Sequence, residues 1–491
     1  MKLVSFRLAW VAIVFAWGGA RFGIADDDAL VVTAPGFDRA GAAKLASGAE
    51  CGRIKITVRD RATNRLTPCR INVVGADGDF YQPAVNRLSP YSLAGQWPDT
   101  GKGNRQGKGP FRYLGRFFYS TGETEVAVPA GRVRVEVWKG LEFQPLVRNT
   151  IVAARETLPV SIELERTTPM SAMGYNSGDL HLHFPRTSEA DDRTIFDLLE
   201  AEDIQFGSTL AYNEPAGPYT GVMETMASPQ LLGLGESSLR KRGPIWIASG
   251  QEYRSGTYGH LNLYWQTDLV LKGQKTNAGN WPLYGELSRD AMRMGGFAIY
   301  AHGGYSQAIH ADFVQKRVSA VELLQFGVYR GIELAGWYDI LNIGYRLPCV
   351  GASDYPACRK LGDCQTYVAQ NDQAGFAGWL KAAAEGRSFV TTGPLLLLEV
   401  DGERPGGAIR LSGPGAHRVR VRVKSHVAPV QTVQVIALGK VVFAEAVAPE
   451  DQMGRWAELD RTIDLDHSSW IAVRALGLTR TGAPDAEDTE L

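Results

Sequence analysis

The sequence predicts a multidomain chain in which a distorted barrel of alternating strands and helices is flanked by two all-β sandwiches. Three observations predict it. The chain has 491 residues, more than a single core serves in most folds, so two or three domains are expected. Residues from about 51 to 165, and again from 396 to 483, show period-two alternation of apolar and polar side chains. Between them, from Asn176 to about Pro394, strand-like runs alternate with helically spaced apolar residues, as in an α/β fold with a mainly parallel sheet.

Residues 1–25 have the make-up of an export signal. Lys2 and Arg7 give a positive start, and Leu8 to Trp17 form a short apolar core. Small residues at Gly18, Ala20, Gly23 and Ala25 then precede the acidic run Asp26-Asp27-Asp28. The apolar core falls short of the ~20 residues that a spanning helix needs. An exported protein, periplasmic or extracellular, is expected, with no stable membrane insertion after cleavage. Export permits disulfides. The five cysteines offer Cys51 with Cys69 and Cys358 with Cys364 as candidate pairs, and Cys349, in an apolar run, reads as a buried thiol.

The N-terminal sandwich is expected over 26–165. Arg53 to Asp60 alternates, and so does Arg132 to Trp138, with Val133, Val135 and Val137 on one face. The Gly-rich, basic stretch Asp99 to Pro110 reads as an exposed loop. In the barrel region, 176–395, strands are expected at Leu180–His183, Ile204–Thr209, Ile245–Ser249, Phe297–Ala301, Val318–Gln325, Leu347–Gly351 and Val390–Thr392. Helices are expected at Thr194–Glu202, Leu287–Met294, Ile332–Ile343 and Ala374–Glu385, the last stopped by Gly386. The C-terminal sandwich, 396–483, contains the alternating Val419 to Val423. The acidic tail 484–491 reads as disordered.

Potential metal ligands fall at or just after the ends of barrel strands. His181 and His183 are two apart in Gly178-Asp179-Leu180-His181-Leu182-His183, so in a strand they share one face, with Asp179 on the same side. Glu252 follows Ile245 to Gln251, and His260 comes shortly after. His302 follows Phe297 to Ala301, and Asp354 follows Cys349 to Ser353. Strand ends converge in α/β barrels. Four imidazoles and two carboxylates round one centre suit zinc, manganese or iron, and point to metal-assisted hydrolysis. A net charge of -1 gives no basic footprint for nucleic acid. Tyr212, Tyr253, Arg254, Asn262 and Arg330 flank these positions as candidates to stabilise developing negative charge.

The same segments, with Gln251-Glu252-Tyr253, Gly259-His260-Leu261-Asn262, Ala301-His302-Gly303 and Gly351-Ala352-Ser353-Asp354, resemble the motifs of the PHP (polymerase and histidinol phosphatase) superfamily. Its CehA/McbA-type metallohydrolase branch is the nearer likeness, and Phe389-Val390-Thr391-Thr392-Gly393-Pro394 resembles the segment that often closes that domain. The resemblance covers about residues 176–395. It implies a distorted PHP-type (β/α)7 barrel with His181, His183, Glu252, His260, His302 and Asp354 as metal ligands. His181, His183, Glu252, His302 and Asp354 would then be catalytic. It further implies cleavage of an ester, amide or carbamate-type bond in a small-molecule or glycan-linked substrate by metal-activated water. A phosphoesterase on the same site is the alternative, and a binding protein with a residual metal site is another. Two departures stand out. No His follows the second strand in Ser208 to Glu214, and Pro356 stands where the family has a His after Asp354. One or two divalent ions are therefore expected, fewer than the family's fullest complement.

Overall fold

The computed structural model describes residues 46–48, 50–92, 117–212, 230–255, 258–271, 282–304, 308–325, 328–356, 360–370 and 375–477. The expected signal segment, the Gly-rich loop and the acidic tail lie outside the described residues. Among the described residues, no helix is long and apolar enough to cross a membrane.

The first strands are β1 (Cys51–Asp60), β2 (Cys69–Val74), β3 (Phe118–Ser120), β4 (Glu123–Pro129), β5 (Gly131–Trp138), β6 (Leu146–Val152) and β7 (Thr157–Leu164). They form two sheets, β4-β1-β7 and β3-β2-β5-β6. The alternating apolar faces, with Ile54, Ile56, Val58, Val133, Val135 and Val137 among them, close on one another as a single core. Cys51 and Cys69 do not form the expected bridge and are free thiols. The reason is topological: Cys51 opens β1 opposite Pro129, whereas Cys69 opens β2, opposite Ser120 in the other sheet. Burial pushes the Cys69 thiol up to about 12, and does the same to Cys349. Cys358 lies outside the described residues.

The central region is β8 (Tyr175–Leu182), α1 (Glu189–Ala201), β9 (Phe206–Tyr212), β10 (Arg240–Arg242), β11 (Ile245–Ser255), β12 (Gly259–Tyr264), α2 (Tyr284–Arg293), β13 (Phe297–Tyr300), α3 (Ala308–Val314), β14 (Ala320–Gln325), β15 (Val328–Tyr329), α4 (Glu333–Asn342), β16 (Cys349–Gly351), β17 (Gln365–Ala369), α5 (Gly375–Ala384) and β18 (Ser388–Thr391). An 11-stranded sheet runs β15-β14-β13-β12-β11-β9-β8-β17-β18, with β10 on β11 and β16 on β14. It is nearly a barrel. A parallel bridge from Leu182 to Tyr355 joins β8 to the chain leaving β16, and the Thr366 hydroxyl links Gly351 to β17. The mainly parallel expectation is met only in part. The pairs β8/β9, β9/β11, β13/β14 and β14/β16 are parallel, but β12, β15, β17 and β18 pair antiparallel.

The helices cover the outside for the reason their spacing suggests. Ser188 caps α1 in a reciprocal box with Asp191, and Ile195, Leu198 and Leu199 pack onto Ile204, Ile245 and Ile247. In α5, Trp379 is wholly buried, stacked on Phe206, and its ring N–H donates to the Asn176 carbonyl.

The last strands are β19 (Leu395–Val400), β20 (Gly415–Lys424), β21 (Val430–Ala437), β22 (Lys440–Ala446), β23 (Ala457–Leu465) and β24 (Ile471–Gly477). They form sheets β19-β20-β23 and β22-β21-β24, whose shared core also takes in Tyr175, Tyr367 and Phe389 of the central sheet.

A buried polar network pins the N-terminal sheets to the central one. Glu202, just past α1, is fully buried. Its carboxylate lies 3.0 Å from Arg70 Nε on β2 and 3.2 Å from Lys360 Nζ, and accepts the Tyr119 hydroxyl at 2.6 Å. Removing one member of such a cluster strands the others without counter-charge. Glu202→Ala is therefore expected to destabilise the full chain by about 3–5 kcal/mol, read as a fall in the urea midpoint. Glu202→Gln, which keeps an acceptor, is expected to fall less.

Candidate metal centre

Main-chain bonds lace the His-x-His segment to the Asp354 segment. The His183 N–H donates to the Tyr355 carbonyl at 2.8 Å, and the Tyr355 N–H donates to the His181 carbonyl at 3.1 Å. Asp354, one residue earlier and at φ 55°, is thereby held beside both imidazoles. Leu180 and Leu182 point into the core, as their alternation requires. Asp179 does not join the imidazoles. Its carboxylate accepts the Ser353 and Gly362 N–H groups, each at 3.0 Å, and so fixes the loop that carries Asp354. Burial raises its pKa to about 6 in spite of those bonds.

Strand β11 presents Glu252 and Arg254 on one face, two residues apart, while Tyr253 turns away to pack edge-on against Tyr284. Strand β12 returns antiparallel, with Arg254 opposite His260 and Glu252 opposite Asn262. A hairpin, rather than a loop at a strand end, therefore delivers His260. His302 sits in a single helical turn after β13, at φ 55°. The following residue must be glycine: at Gly303, φ 68°, a Cβ would stand 1.7 Å from the Arg330 carbonyl oxygen.

All six sequence-predicted ligand positions come together. His181 Nε2 lies 3.1 Å from His183 Nε2, 3.4 Å from Glu252 Oε1 and 3.3 Å from Asp354 Oδ1. His183 Nε2 lies 3.0 Å from Asp354 Oδ1 and 3.4 Å from Glu252 Oε2. His260 Nδ1 lies 2.7 Å from Glu252 Oε1 and 2.8 Å from His302 Nε2. Three overlapping trios have ligand-type atoms within 4.8 Å of one another: His181, His183 and Asp354; His181, His302 and Glu322; Glu252, His260 and His302.

Two residues outside the sequence expectation set the imidazole tautomers. Glu322 accepts from His181 Nδ1 at 2.9 Å, and Gln325 Oε1 accepts from His302 Nδ1 at 2.7 Å. The Gln325 amide is itself oriented, donating to Glu322 Oε2 at 3.2 Å, and the His302 N–H reaches the same oxygen at 2.9 Å. With Nδ1 of each engaged in this way, His181 and His302 turn Nε2 to the shared centre, where a bound cation would take the place of a proton. The available signal was a carboxylate and an amide in an otherwise apolar strand, Ala320-Val321-Glu322-Leu323-Leu324-Gln325.

The charge balance favours a cation. Glu252, Asp354 and Glu322 are all buried, and Arg254, whose Nε lies 2.7 Å from Glu252 Oε2, returns one positive charge. Glu252 Oε1 and Asp354 Oδ1 are buried without a hydrogen bond of acceptable geometry, despite the close imidazole nitrogens. Burial opposes ionisation of Glu252, but Arg254, His260 and His181 hold its carboxyl well below the usual range. Burial is likewise overcome at Asp354 by His181, His183 and His302. At His181, burial is outweighed by Glu322, Asp354 and Glu252, which raise its pKa well above the ordinary value, whereas burial dominates at His260 and lowers it. Ionised carboxylates and imidazole nitrogens facing one point form a donor set that fits zinc, manganese or iron once the cation displaces the His181 proton.

The flanking candidates Tyr212 and Asn262 also reach the site, whereas His310, His417 and His426 give no atom to the three trios. Tyr212 joins the site, with its ring 3.7 Å from the Arg254 guanidinium carbon and edge-on to His183. Asn262 Nδ2 lies 3.0 Å from His181 Nδ1. His310 is exposed on α3. His417 bonds Asp401 and His426 bonds Thr167, both away from the centre.

No family model matches the chain, and no curated protein matches it. Among solved structures, PsfC from Pseudomonas syringae PB-5123 aligns over 44% of this chain and 91% of its own, at 15% identity and a TM-score of 0.30. A Streptococcal ancillary pilin aligns over 29% of this chain and 38% of its own, at 16% identity and a TM-score of 0.16. The lesion-specific endonuclease PfuEndoQ from Pyrococcus furiosus aligns over 44% of this chain and 58% of its own, at 12% identity and a TM-score of 0.25. Likenesses this low carry no argument. What stands is a mixed α/β chain, rich in strands, with a nearly closed sheet around buried groups able to hold a metal.

Because Glu322 orients His181 from behind, Glu322→Gln is expected to weaken zinc binding about 10–100-fold while the fold persists. Competition with a chromophoric chelator checks the affinity, and circular dichroism checks the fold.

Proposed function

We propose that the chain is an exported metal-dependent hydrolase of the PHP type, near the CehA/McbA branch, acting on an ester, amide or carbamate-type bond. The observation that carries this reading is the convergence of His181, His183, Glu252, His260, His302 and Asp354, with the buried oxygens Glu252 Oε1 and Asp354 Oδ1 turned toward the imidazoles. These six residues would hold the metal. A bound divalent cation supplies Lewis acidity, which lowers the pKa of water and polarises a substrate oxygen.

The chain's own groups do the rest. Glu322 and Gln325 keep Nε2 of His181 and of His302 pointed inward. Glu252 lies between the two groups of imidazoles, its Oε1 toward His260 and His181 and its Oε2 toward His183. His260 is the least buried of the six, with 30% of its side chain exposed, so it stands nearest the solvent from which water and substrate arrive. In this reading residues 1–25 are a signal peptide, 26–165 and 396–483 are the flanking sandwich domains, and 176–395 form the catalytic barrel. The substrate is a small or glycan-linked molecule.

Metal analysis and activity together test the proposal. Glu252→Ala and His302→Ala are each expected to strip bound metal and to lower hydrolysis by more than the about 10–100-fold that loss of an outer partner costs. A screen of carboxylic esters, amides, carbamates and phosphate esters names the bond class. No turnover in any class by fully metal-loaded protein defeats the hydrolase reading. Metal occupancy unchanged in both variants defeats the site.

A further inference from the structure

Resting on the metallohydrolase reading, we infer that Tyr119, on the N-terminal sheet, is a positioning residue for the metal centre: with the aromatic side chains around it, it fixes the segments that carry His183 and Asp354. Two separate sets of contacts lead there. The first is apolar and is formed by the residues next to two of the ligand positions. Phe184 follows His183, Tyr355 follows Asp354, and both are buried. Their rings lie 5.3 Å apart between centroids. The core that encloses them is not drawn from the central sheet alone. Leu88, Phe117 and Tyr119 of the N-terminal region belong to it, together with Leu182, Leu361 and the apolar face of α1. Tyr91 packs on Phe184 at 5.7 Å, and Phe117 packs edge-on against Tyr119 at 5.2 Å. An interior packed this closely transmits displacement. Movement of these rings therefore moves the main chain of the ligand-bearing residue that precedes each.

The second set is polar and reaches Asp354 by another route. The Tyr119 hydroxyl donates to Glu202 Oε1 at 2.6 Å, and Glu202 Oε2 lies 3.2 Å from Lys360 Nζ. Lys360 Nζ also donates to the Leu361 and Gly362 carbonyls, at 3.0 and 3.1 Å. The Gly362 N–H donates to one oxygen of Asp179, and the other oxygen accepts the N–H of Ser353, the residue before Asp354. Tyr119, Glu202, Lys360 and Asp179 are all buried, so water does not loosen this path. Tyr119 belongs to both sets: its ring lies in the aromatic core and its hydroxyl opens the polar path. Metal–ligand distances hold to within about 0.2 Å, so a displacement that is small for the fold is large for the centre.

The test uses the full chain, with zinc affinity read by competition against a chelator and the geometry of the centre read from the visible absorption of the cobalt(II)-loaded protein. Tyr119→Leu removes both the ring and the hydroxyl. It is expected to weaken zinc binding at least about tenfold and to shift the cobalt bands, while circular dichroism shows the chain folded. Tyr119→Phe, which restores the ring, is expected to recover most of the affinity. Val135→Ala is the control. It empties space in the core of the N-terminal sheets, away from this contact, and is expected to lower the urea midpoint while zinc affinity and cobalt spectrum stay as in wild type. Phe184→Leu is expected to act as Tyr119→Leu does, and serves if Tyr119→Leu does not fold. Wild-type zinc affinity and cobalt spectrum in folded Tyr119→Leu, or in Phe184→Leu in its stead, overturn this inference and leave the metallohydrolase reading intact. An equal loss of affinity in Val135→Ala also overturns it, because general loosening would then account for the effect. Wild type that binds neither zinc nor cobalt overturns both readings.

Discussion

The structure turns on the burial of carboxylates that are kept ionised. Glu252, in the central sheet, and Asp354, just past β16, are buried with Oε1 and Oδ1 facing imidazole nitrogens rather than well-aligned hydrogen-bond donors. In a medium of low polarity such groups would normally take up a proton. Here imidazoles from three different strand ends, and the Arg254 guanidinium, hold them ionised. A divalent cation is the natural counterpart of that arrangement, because it would satisfy the oxygens and the inward imidazole nitrogens together.

The scaffold around this centre is specialised to hold it. Tyr355 bonds to both neighbours of Leu182 through its main chain, so the imidazole pair and Asp354 cannot move independently. Asp179 accepts two main-chain amides, from Ser353 beside Asp354 and from Gly362 further along. His302 and Asp354 both adopt left-handed backbone angles, uncommon for residues with a side chain. Such angles persist where surrounding contacts enforce them, and here they aim two ligand-type side chains inward. Glu322 and Gln325, on the neighbouring strand β14, complete the back wall.

The flanking sheets are more than appendages. The Glu202 cluster and the core shared by Tyr175, Tyr367 and Phe389 with the C-terminal sheets bury contacts between all three regions. Buried charge across such a joint favours a fixed relation over a hinge, because separation would strand Arg70 and Lys360 without a partner.

Much of this was legible in the chain itself. Period-two alternation located β1, β5 and part of β20 among the flanking strands but not β6, β22 or β23, and helical spacing located α1, α2, α4 and α5 to within a few residues at most ends, apart from the start of α1. The His-x-His spacing and the ligand-type residues after apolar runs marked the six positions that converge, since strand ends in such folds meet at one face. The chain alone did not reveal β12 and β17, whose antiparallel pairing is settled by contacts distant in sequence. Nor did it reveal that Asp179 serves the backbone, that Cys51 and Cys69 belong to different sheets, or that Glu322 and Gln325 stand behind the imidazoles. Spacing along one strand determines which side chains share a face. Which residues from other strands meet that face depends on how the sheet curls and closes, and that is decided only by tertiary packing.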